Sequence, residues 1–178
     1  MSLARADSVA APSDAALATF VAELYERRGR ELWGLARRLG ATHEQAADVV
    51  QEAHLRLWRE LGGGAVLADA DAWMFRVVYR LVMDHHRLGR RVQGLVERLG
   101  IGRAVSASLA VDDRLSLWPV VDRLPPRERA TLYLRYRSDL SFDQIGEVMG
   151  ITPASARTYA SRGVERVRGM LADGGWNA

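Results

Sequence analysis

The chain has 178 residues, of which 48% are hydrophobic, so it is long enough for one ordinary domain or two small ones. It has no cysteine, which excludes disulfides, thiolate nucleophiles and cysteine-ligated metal centres, and no apolar run approaches the ~20 residues of a membrane span. Because no basic start precedes an apolar block, we expect no secretory signal, no membrane insertion and a cytoplasmic protein.

The formal net charge is only +3, but the charges are unevenly distributed, and all 25 basic residues are Arg. From Asp14 to Trp73 there are ten acidic residues and seven Arg. From Arg76 to Arg103 there are seven Arg and two acidic residues, and from Gly150 to Met170 there are four Arg and one acidic residue. An acidic front followed by two basic segments suggests separate partners for separate parts of the chain.

Helical periodicity dominates, and the first two predicted helices span Asp14 to about Leu39 and Thr42 to about Glu60. Gly40 ends the first helix, and Thr42 with Gln45 has the spacing of a capping box that opens the second. The apolar stripes of the two helices predict their buried faces. They consist of Leu17, Val21, Leu24, Leu32, Leu35 and Leu39, and of Val49, Val50, Ala53 and Leu57.

Three successive glycines, Gly62–Gly64, predict a mobile loop between Leu61 and Asp71, before a third helix from Asp71 to about Arg87. We expect residues 14–88 to form a first domain after a disordered tail of residues 1–13. Four glycines punctuate the basic stretch that follows, so we expect residues 89–113 to be a flexible linker with at most a helical turn or two.

A second helical domain is predicted over residues 114–172, followed by a tail of residues 173–178. A short helix around Trp118 ends at Pro125-Pro126, which opens the next helix, to about Tyr136. Ser141 begins another capping box for a helix to Met149. Gly150 then suits a left-handed turn, and Thr152-Pro153 opens a final helix to about Leu171.

This short helix, glycine turn and longer basic helix predict a DNA-binding helix-turn-helix, in which small Gly146 allows the two helices to cross closely. The second helix would enter the major groove, where arginine can contact guanine and hydroxyls can contact bases or phosphates. The residues that face outward in this geometry are Ser155, Arg157, Thr158, Ser161 and Arg162.

Two blocks of the sequence closely resemble extracytoplasmic-function (ECF) sigma factors of bacterial RNA polymerase, over about Val21 to Leu171. Leu124-Pro125-Pro126-Arg127-Glu128-Arg129 and the segment from Leu134 to Ile151 resemble region four. Ala47-Asp48-Val49-Val50-Gln51-Glu52-Ala53, Leu55-Arg56-Leu57-Trp58 and the segment from Ala72 to Arg87 resemble region two. The resemblance implies an all-α fold of two small helical domains and a promoter-specific initiation factor that is not an enzyme and needs no cofactor.

The resemblance also implies partners for each block. Region two docks on the clamp helices of the largest polymerase subunit, and here Asp48, Gln51, Glu52 and Arg56 share the outer face of the second helix. Region four docks on the flap of the second-largest subunit and reads the minus-thirty-five element of promoter DNA. An anti-sigma factor that covers these surfaces is common in the family, although this sequence identifies none.

Region two also melts the minus-ten element and captures an unstacked base, which requires aromatic and cationic side chains. The candidates are Trp73, Arg76, Tyr79, Arg80, Arg87 and Arg91, although a tryptophan at a helix start is more often a core residue. The four arginines fall within about one-sixth of a turn at ~100° per residue. Because the family commonly has Asn where this chain has Arg80, and Arg where it has Tyr79, its minus-ten preference is left open.

Three other functions fit parts of the pattern. A conventional helix-turn-helix regulator would bind duplex DNA without polymerase, and a degenerate sigma-like protein would bind polymerase or a regulator without melting DNA. Asp84-His85-His86 resembles the signature of a metal phosphoesterase family. No second Asp/His cluster accompanies it, so we expect no metal site and expect Asp84 to pair with Arg80 or Arg87.

Overall fold

The computed structural model describes residues 14–98 and 117–173, with the backbone alone over residues 88–98. The predicted tail of residues 1–13, residues 99–113 of the predicted linker and residues 174–178 lie outside this range. Seven helices follow one another along the described chain. They are α1 (Asp14–Arg38), α2 (His43–Gly62), α3 (Ala70–Arg98), α4 (Trp118–Val121), α5 (Pro126–Tyr136), α6 (Phe142–Met149) and α7 (Pro153–Ala172).

Local chemistry sets the boundary between α1 and α2 as predicted. Gly40 has φ +100°, a left-handed conformation that ends α1. Thr42 Oγ1 then accepts a hydrogen bond from Gln45 N (3.2 Å), and Gln45 Oε1 accepts one from Thr42 N (2.9 Å). This reciprocal capping box satisfies two N–H groups at the start of α2.

The end of α3 was predicted wrongly. The helix begins at Ala70, where Asp69 Oδ1 accepts a hydrogen bond from Ala72 N (2.9 Å), but it continues to Arg98 instead of ending near Arg87. Gly89 and Gly94 were taken as breakers, yet an isolated glycine costs a helix only ~1 kcal/mol, which the surrounding Leu, Arg and Gln offset. Residues 89–98 of the predicted flexible linker are therefore helical.

The helix-turn-helix of α6 and α7 has the expected geometry. Ser141 and Gln144 form the second capping box, and Gly150 is left-handed at φ 67° and ψ 41°. Thr152 Oγ1 accepts a hydrogen bond from Ser155 N (3.1 Å) at the start of α7. A side chain at Gly146 would place its Cβ 2.8 Å from the carbonyl oxygen of Ile151, so only glycine allows this close crossing.

The chain forms two helical units, an N-terminal unit of α1–α3 and a C-terminal unit of α4–α7. The units pack against each other through α1 with α5 and through α3 with α6. Buried residues from both units form one continuous apolar cluster, which extends from Leu32 and Phe75 to Leu134 and Ile145. The two predicted domains therefore share part of their core.

A single glycine on α1 permits the closest approach of the two units. Tyr133 on α5 is 2% exposed, and its hydroxyl donates a hydrogen bond to the carbonyl oxygen of Glu31 on α1 (2.9 Å). A Cβ at Gly34 would lie 2.3 Å from that hydroxyl oxygen. Beside it, the guanidinium of Arg38 lies 5.0 Å from the ring centroid of Trp118 and 5.1 Å from that of Tyr133. We call this contact the Gly34–Tyr133 seat.

Candidate nucleic-acid and protein interfaces

The predicted polymerase-binding residues lie together on the outer face of α2. Asp48, Gln51 and Arg56 are exposed and Glu52 is half-buried, whereas Val49 and Ala53 on the opposite face are 1% and 0% exposed. Arg56 Nε donates a hydrogen bond to Glu52 Oε1 (2.8 Å), and this bond holds the pKa of the Glu52 carboxyl below its usual value. The face therefore offers an ionised carboxylate within an i, i+4 ion pair and two further polar groups.

An apolar groove between α1 and α2 adjoins this face, and the sequence pattern did not predict it. Its volume is about 680 Å³. The groove is lined from α1 by Val21, Tyr25, Glu26, Gly29, Arg30 and Trp33, and from α2 by Ala47, Val50, Gln51, His54, Leu55 and Trp58. Tyr25, Leu55 and Trp58 are large apolar residues off the buried stripes, and this feature of the sequence could have predicted the groove.

His54 is the buried polar residue of this groove. It is 7% exposed, its ring packs edge-on against Tyr25 at 5.0 Å, and its Nδ1 lies 2.7 Å from the carbonyl oxygen of Val50. Because a carbonyl oxygen can only accept, Nδ1 carries the proton and Nε2 is an acceptor. Burial lowers the pKa of His54, which keeps the imidazole neutral near physiological pH.

The predicted minus-ten residues lie along α3, but their surroundings differ. Trp73 is half-buried against the core, as expected for a core residue, and it also lines a shallow pocket with Arg76 and Arg80. Arg80 and Arg87 are exposed, and Arg87 Nη1 pairs with Asp84 Oδ1 at 3.3 Å, one of the two pairings that we expected. Arg91 lies where only the backbone is described.

The C-terminal unit covers part of this α3 face. Arg76 Nη2 lies 3.5 Å from Glu147 Oε2 on α6, and Tyr79 is half-buried, which raises the pKa of its hydroxyl. In the loop before α3, Asp69 Oδ2 accepts a hydrogen bond from Gln144 Nε2 of the helix-turn-helix (2.6 Å). The predicted strand-capturing surface is thus partly occupied by α6.

The predicted minus-thirty-five residues lie along the N-terminal half of α7, and four of the five are exposed. Ser155 is half-buried, and its Oγ lies 2.9 Å from Thr152 Oγ1 within the helix cap. Thr158 Oγ1 donates a hydrogen bond to the carbonyl oxygen of Ala154 (3.0 Å), and Arg157 stacks over Phe142 at 5.5 Å. Arg157, Ser161 and Arg162 remain exposed on the outer side of α7, where a ligand can contact them.

Two arginines outside the predicted set border the helix-turn-helix. Arg127 Nη1 donates a hydrogen bond to the hydroxyl of Tyr159 on α7 (2.9 Å), and Arg135 lies over the ring of Phe142 at 5.3 Å. Both belong to the blocks that resemble region four. Neither cation is among the residues predicted to contact DNA, although each lies next to a residue of the helix-turn-helix.

The Asp84-His85-His86 motif does not assemble a metal site in the part of the chain that is described. No group of three or more His, Asp or Glu side chains converges there. His86 Nε2 instead lies 2.7 Å from the carbonyl oxygen of Leu39, where it connects α3 to the end of α1. Among the described helices, none is long and apolar enough to cross a membrane.

Comparison with known proteins assigns a family to both units. Residues 24–92 match the model of sigma-70 region 2, and residues 114–167 match that of sigma-70 region 4. The chain is 34% identical over 149 residues to the ECF RNA polymerase sigma factor SigJ of Mycobacterium tuberculosis, covering 78% of this chain and 47% of SigJ. It is 31% identical over 162 residues to SigL of the same organism, covering 86% of this chain and 90% of SigL.

Among solved structures, the sigma factor RpoE from Bartonella quintana, in complex with the anti-sigma factor NepR, has the same fold. The TM-score is 0.65 at 18% sequence identity, covering 86% of this chain and 97% of RpoE. The helix-turn-helix, the polar face of α2 and the two region matches therefore all indicate the same protein family. The chain belongs to the ECF sigma factors, the RNA polymerase initiation factors that direct transcription from specific promoters.

Proposed function

We propose that this chain docks on the RNA polymerase core through the outer face of α2 and directs the enzyme to promoters that α3 and α7 recognise. The observation that carries the proposal is the presence on one chain of a polar protein-binding face and a helix-turn-helix with an open basic face. Polymerase performs the chemistry, so the chain itself acts as a non-catalytic subunit in the cytoplasm.

In this proposal, α7 reads the minus-thirty-five element as duplex DNA. Arg157 and Arg162 are both exposed and five residues apart, so they project about 140° from each other around the outer side of α7, from where two long side chains can reach different positions in one major groove. Arginine is the side chain best suited to bidentate contact with guanine, and Ser161 adds a short hydroxyl on the same face. Arg127, near the N-terminus of α5, is a candidate for a phosphate contact beside the groove.

The minus-ten element would be melted and held along α3. Arg80 and Arg87 are already exposed to attract phosphates, and Trp73 lines the shallow pocket next to Arg76 and Arg80. Full use of this face requires the C-terminal unit to withdraw from Arg76 and Tyr79. We therefore propose that the two units separate when the chain engages polymerase and promoter DNA.

A regulatory protein that stabilises the packed units would hold the chain inactive. RpoE of Bartonella quintana was solved with the anti-sigma factor NepR, and we propose a partner of this class for the present chain. The polar faces of α2 and α3 are the surfaces that such a partner would cover. Binding of this kind shifts the equilibrium between packed and separated units by its difference in affinity for the two.

Run-off transcription tests the proposed function. Purified core polymerase is incubated with a pool of genomic promoter fragments from the source organism, with and without the chain. Transcripts that depend on the chain support the proposal and reveal the promoter sequences. Binding to core without transcripts would instead support a degenerate sigma-like protein, and binding to duplex DNA without binding to core would support a conventional regulator.

A further inference from the structure

A cleft larger than the α1–α2 groove lies between the two units. Its volume is about 1220 Å³. Four parts of the chain form its walls: the end of α1 at Leu39 and Gly40, the middle of α3, the start of α5, and the turn between α6 and α7 together with Tyr159. Pockets of roughly 300–1,000 Å³ hold drug-sized ligands, so this inter-unit cleft has room for a small molecule and the water around it.

Arginines from both units line the inter-unit cleft. Arg80 and Arg87 come from α3, and Arg127 and Arg129 come from α5. Burial raises the pKa of the Tyr79 hydroxyl, and the charges of Arg127 and Arg87 oppose that rise, so guanidinium groups of both units lie near one point. Packing of the two units therefore concentrates positive charge in the cleft.

The carboxylates in the walls of the cleft leave much of this charge uncompensated. Asp84 Oδ1 lies 3.3 Å from Nη1 of Arg87. Glu128 Oε2 lies 3.0 Å from Nε of Arg166, which is outside the cleft. Because both carboxylates are already paired, the cleft keeps an excess of positive charge that would attract an anion.

The other three arginines of the cleft, Arg80, Arg127 and Arg129, form no ion pair with a carboxylate among the described residues. Arg127 Nη1 donates to the hydroxyl of Tyr159 (2.9 Å), and Arg129 Nη1 donates to the carbonyl oxygen of Asp122 (2.7 Å). Arg129 Nε is buried and has no hydrogen-bond partner among the described residues. A buried cationic group of this kind is costly, and an anion in the cleft would reduce that cost.

The chemistry of the walls indicates the class of ligand. The guanidinium fork of arginine matches the oxygens of a phosphate group, and a short phosphate chain carries several negative charges in a small volume. Met83, Pro126 and Ile151 form an apolar part of the wall, against which a planar ring can lie. Tyr159 accepts a hydrogen bond from Arg127, so its own hydroxyl proton is available for a ligand. These features fit a nucleotide better than an inorganic anion.

We propose that the inter-unit cleft binds a nucleoside polyphosphate, whose phosphate chain bridges Arg80 on α3 and Arg127 on α5 and whose base lies against the apolar wall. A ligand that contacts both units binds the packed state better than the separated one, so it shifts the equilibrium towards the packed state. Because Arg80 also belongs to the proposed minus-ten face, the bound nucleotide reduces capture of single-stranded promoter DNA. That effect rests on the proposed function, whereas binding of the nucleotide does not.

Isothermal titration calorimetry of GTP into the full chain tests the site, at about 0.15 M salt to screen weak attraction between surface charges and the ligand. We expect one site per chain. Arg80→Ala and Arg127→Ala should each weaken GTP binding by about tenfold, because each removes a charge-assisted hydrogen bond from a different unit. Inorganic pyrophosphate, which lacks the base, should bind about tenfold more weakly than GTP, and guanosine, which lacks the phosphates, should not bind measurably.

Arg123→Ala is the matched control. Arg123 is exposed and lies in the same unit as Arg127, but it does not line the cleft. Its removal should change GTP affinity by less than about threefold, through net charge alone. Thermal unfolding followed by circular dichroism checks that each variant folds, and GTP should raise the unfolding midpoint of the wild type more than that of Arg80→Ala or Arg127→Ala.

The consequence for promoter DNA is measured by fluorescence anisotropy with a single-stranded minus-ten oligonucleotide. GTP at about ten times its dissociation constant should weaken oligonucleotide binding by about tenfold, because most of the chain then holds the nucleotide. An unchanged affinity would overturn the regulatory effect. A chain that binds GTP as expected but does not support run-off transcription would contradict the proposed function and leave the nucleotide site standing.

Three results of the calorimetry would overturn the site itself. Equal losses from Arg123→Ala and Arg127→Ala would show that net charge, and not the cleft, attracts the ligand. A loss from only one of Arg80→Ala and Arg127→Ala would exclude a ligand that bridges the two units. Pyrophosphate that binds as tightly as GTP would exclude a role for the base and with it the assignment to nucleotides.

Discussion

The two candidate DNA-binding faces of this sigma factor differ in accessibility. On α7, Arg157, Ser161 and Arg162 are exposed, whereas on α3 Arg76 faces Glu147 and Tyr79 is half-buried. In the proposed function, the α7 face meets duplex DNA while the units are packed together, and the full α3 face becomes available only when they separate. We therefore infer that recognition of duplex and capture of a single strand are separable in this molecule.

The contacts between the units are unequal in strength. The Gly34–Tyr133 seat is buried, and the Tyr133 hydroxyl donates to a backbone carbonyl there. The pair of Arg76 and Glu147 is more exposed, with 32% and 62% of the side chains accessible, and exposed ion pairs contribute little. We therefore expect the seat, more than the surface charges, to hold the α3 face closed.

The largest expected effect is on the exposed face of α7. We predict that the double substitution Arg157→Ala and Arg162→Ala weakens binding to minus-thirty-five duplex DNA by about a hundredfold, because each arginine contact contributes ~1–3 kcal/mol. Fluorescence anisotropy with a promoter duplex found by run-off transcription measures the change. Binding of a single-stranded minus-ten oligonucleotide should be unaffected, since α3 is unchanged.

Arg168→Ala is the matched control for this double substitution. Arg168 is exposed on the same helix but lies six residues beyond Arg162, towards the C-terminal end. It should reduce duplex affinity by less than about threefold, through net charge alone. Equal losses from Arg168→Ala and the double substitution would show that α7 contributes general charge and does not read the groove.

The second prediction concerns the α3 face that the C-terminal unit covers. Gly34→Ala places a Cβ 2.3 Å from the Tyr133 hydroxyl oxygen and 3.2 Å from Cζ, and the buried ring can move away only by displacing Trp118 and Arg38, which pack against it. We expect the units to separate and the affinity for a single-stranded minus-ten oligonucleotide to rise about tenfold, because a larger fraction of the chain is competent. Small-angle scattering should show a larger radius of gyration.

Gly29→Ala controls for the gain in helix propensity, which is ~1 kcal/mol for glycine to alanine. Gly29 lies on the same helix, but its Cβ would lie 3.7 Å from Tyr25 carbons, an ordinary van der Waals contact. We expect Gly29→Ala to stay compact and to bind the oligonucleotide like the wild type. An equally large increase in both variants would mean that α1 stability, and not the seat, controls access to α3.

The third prediction uses pH to examine the seat. Burial raises the pKa of Tyr133 to about 12, against about 10 for an exposed tyrosine. A group whose pKa is raised by packing stabilises the packed state fully below pH 10 and loses that contribution as pH rises towards 12. The chain has neither Lys nor Cys, so the tyrosines are the side chains that ionise in this window.

Ultraviolet titration of tyrosinate measures this difference. The wild-type curve minus the Tyr133→Phe curve should show one tyrosine that ionises near pH 12. In the Gly34→Ala background, the same difference should shift towards pH 10, because the separated units expose the hydroxyl. A wild-type midpoint near pH 10 would contradict the buried seat.

Much of the fold follows from local chemistry and was predicted from sequence. The capping boxes at Thr42 and Ser141 and the left-handed Gly150 depend on residues within a few positions of each other. The end of α3 was missed because the same rules overvalued Gly89 and Gly94 as breakers. Packing of the two units was not predictable. Gly34 and Tyr133 are distant in sequence, and from sequence alone Gly34 indicates only a locally less stable helix.

The candidate sites also divide into those that local sequence predicts and those that only the folded structure reveals. The polar face of α2 and the outward face of α7 follow from helical spacing once the buried stripes are assigned. The groove required the structure, because it arises where Tyr25 on α1 approaches His54 on α2. The covered part of α3 also depends on a unit that begins more than thirty residues later in the chain, beyond the range of any local pattern.

The smallest expected effect concerns the ion pair at the edge of the covered face. Glu147→Gln keeps the shape of the side chain and removes its charge, so Arg76 loses a partner 3.5 Å away. For a pair this exposed we expect at most about a twofold rise in affinity for the single-stranded minus-ten oligonucleotide, seen near 50 mM salt and lost near 0.5 M because of screening. Duplex binding should not change, because Glu147 is not on the exposed face of α7. A tenfold rise would equal the effect expected of Gly34→Ala, and the surface charge would then contribute as much as the Gly34–Tyr133 seat to closing α3.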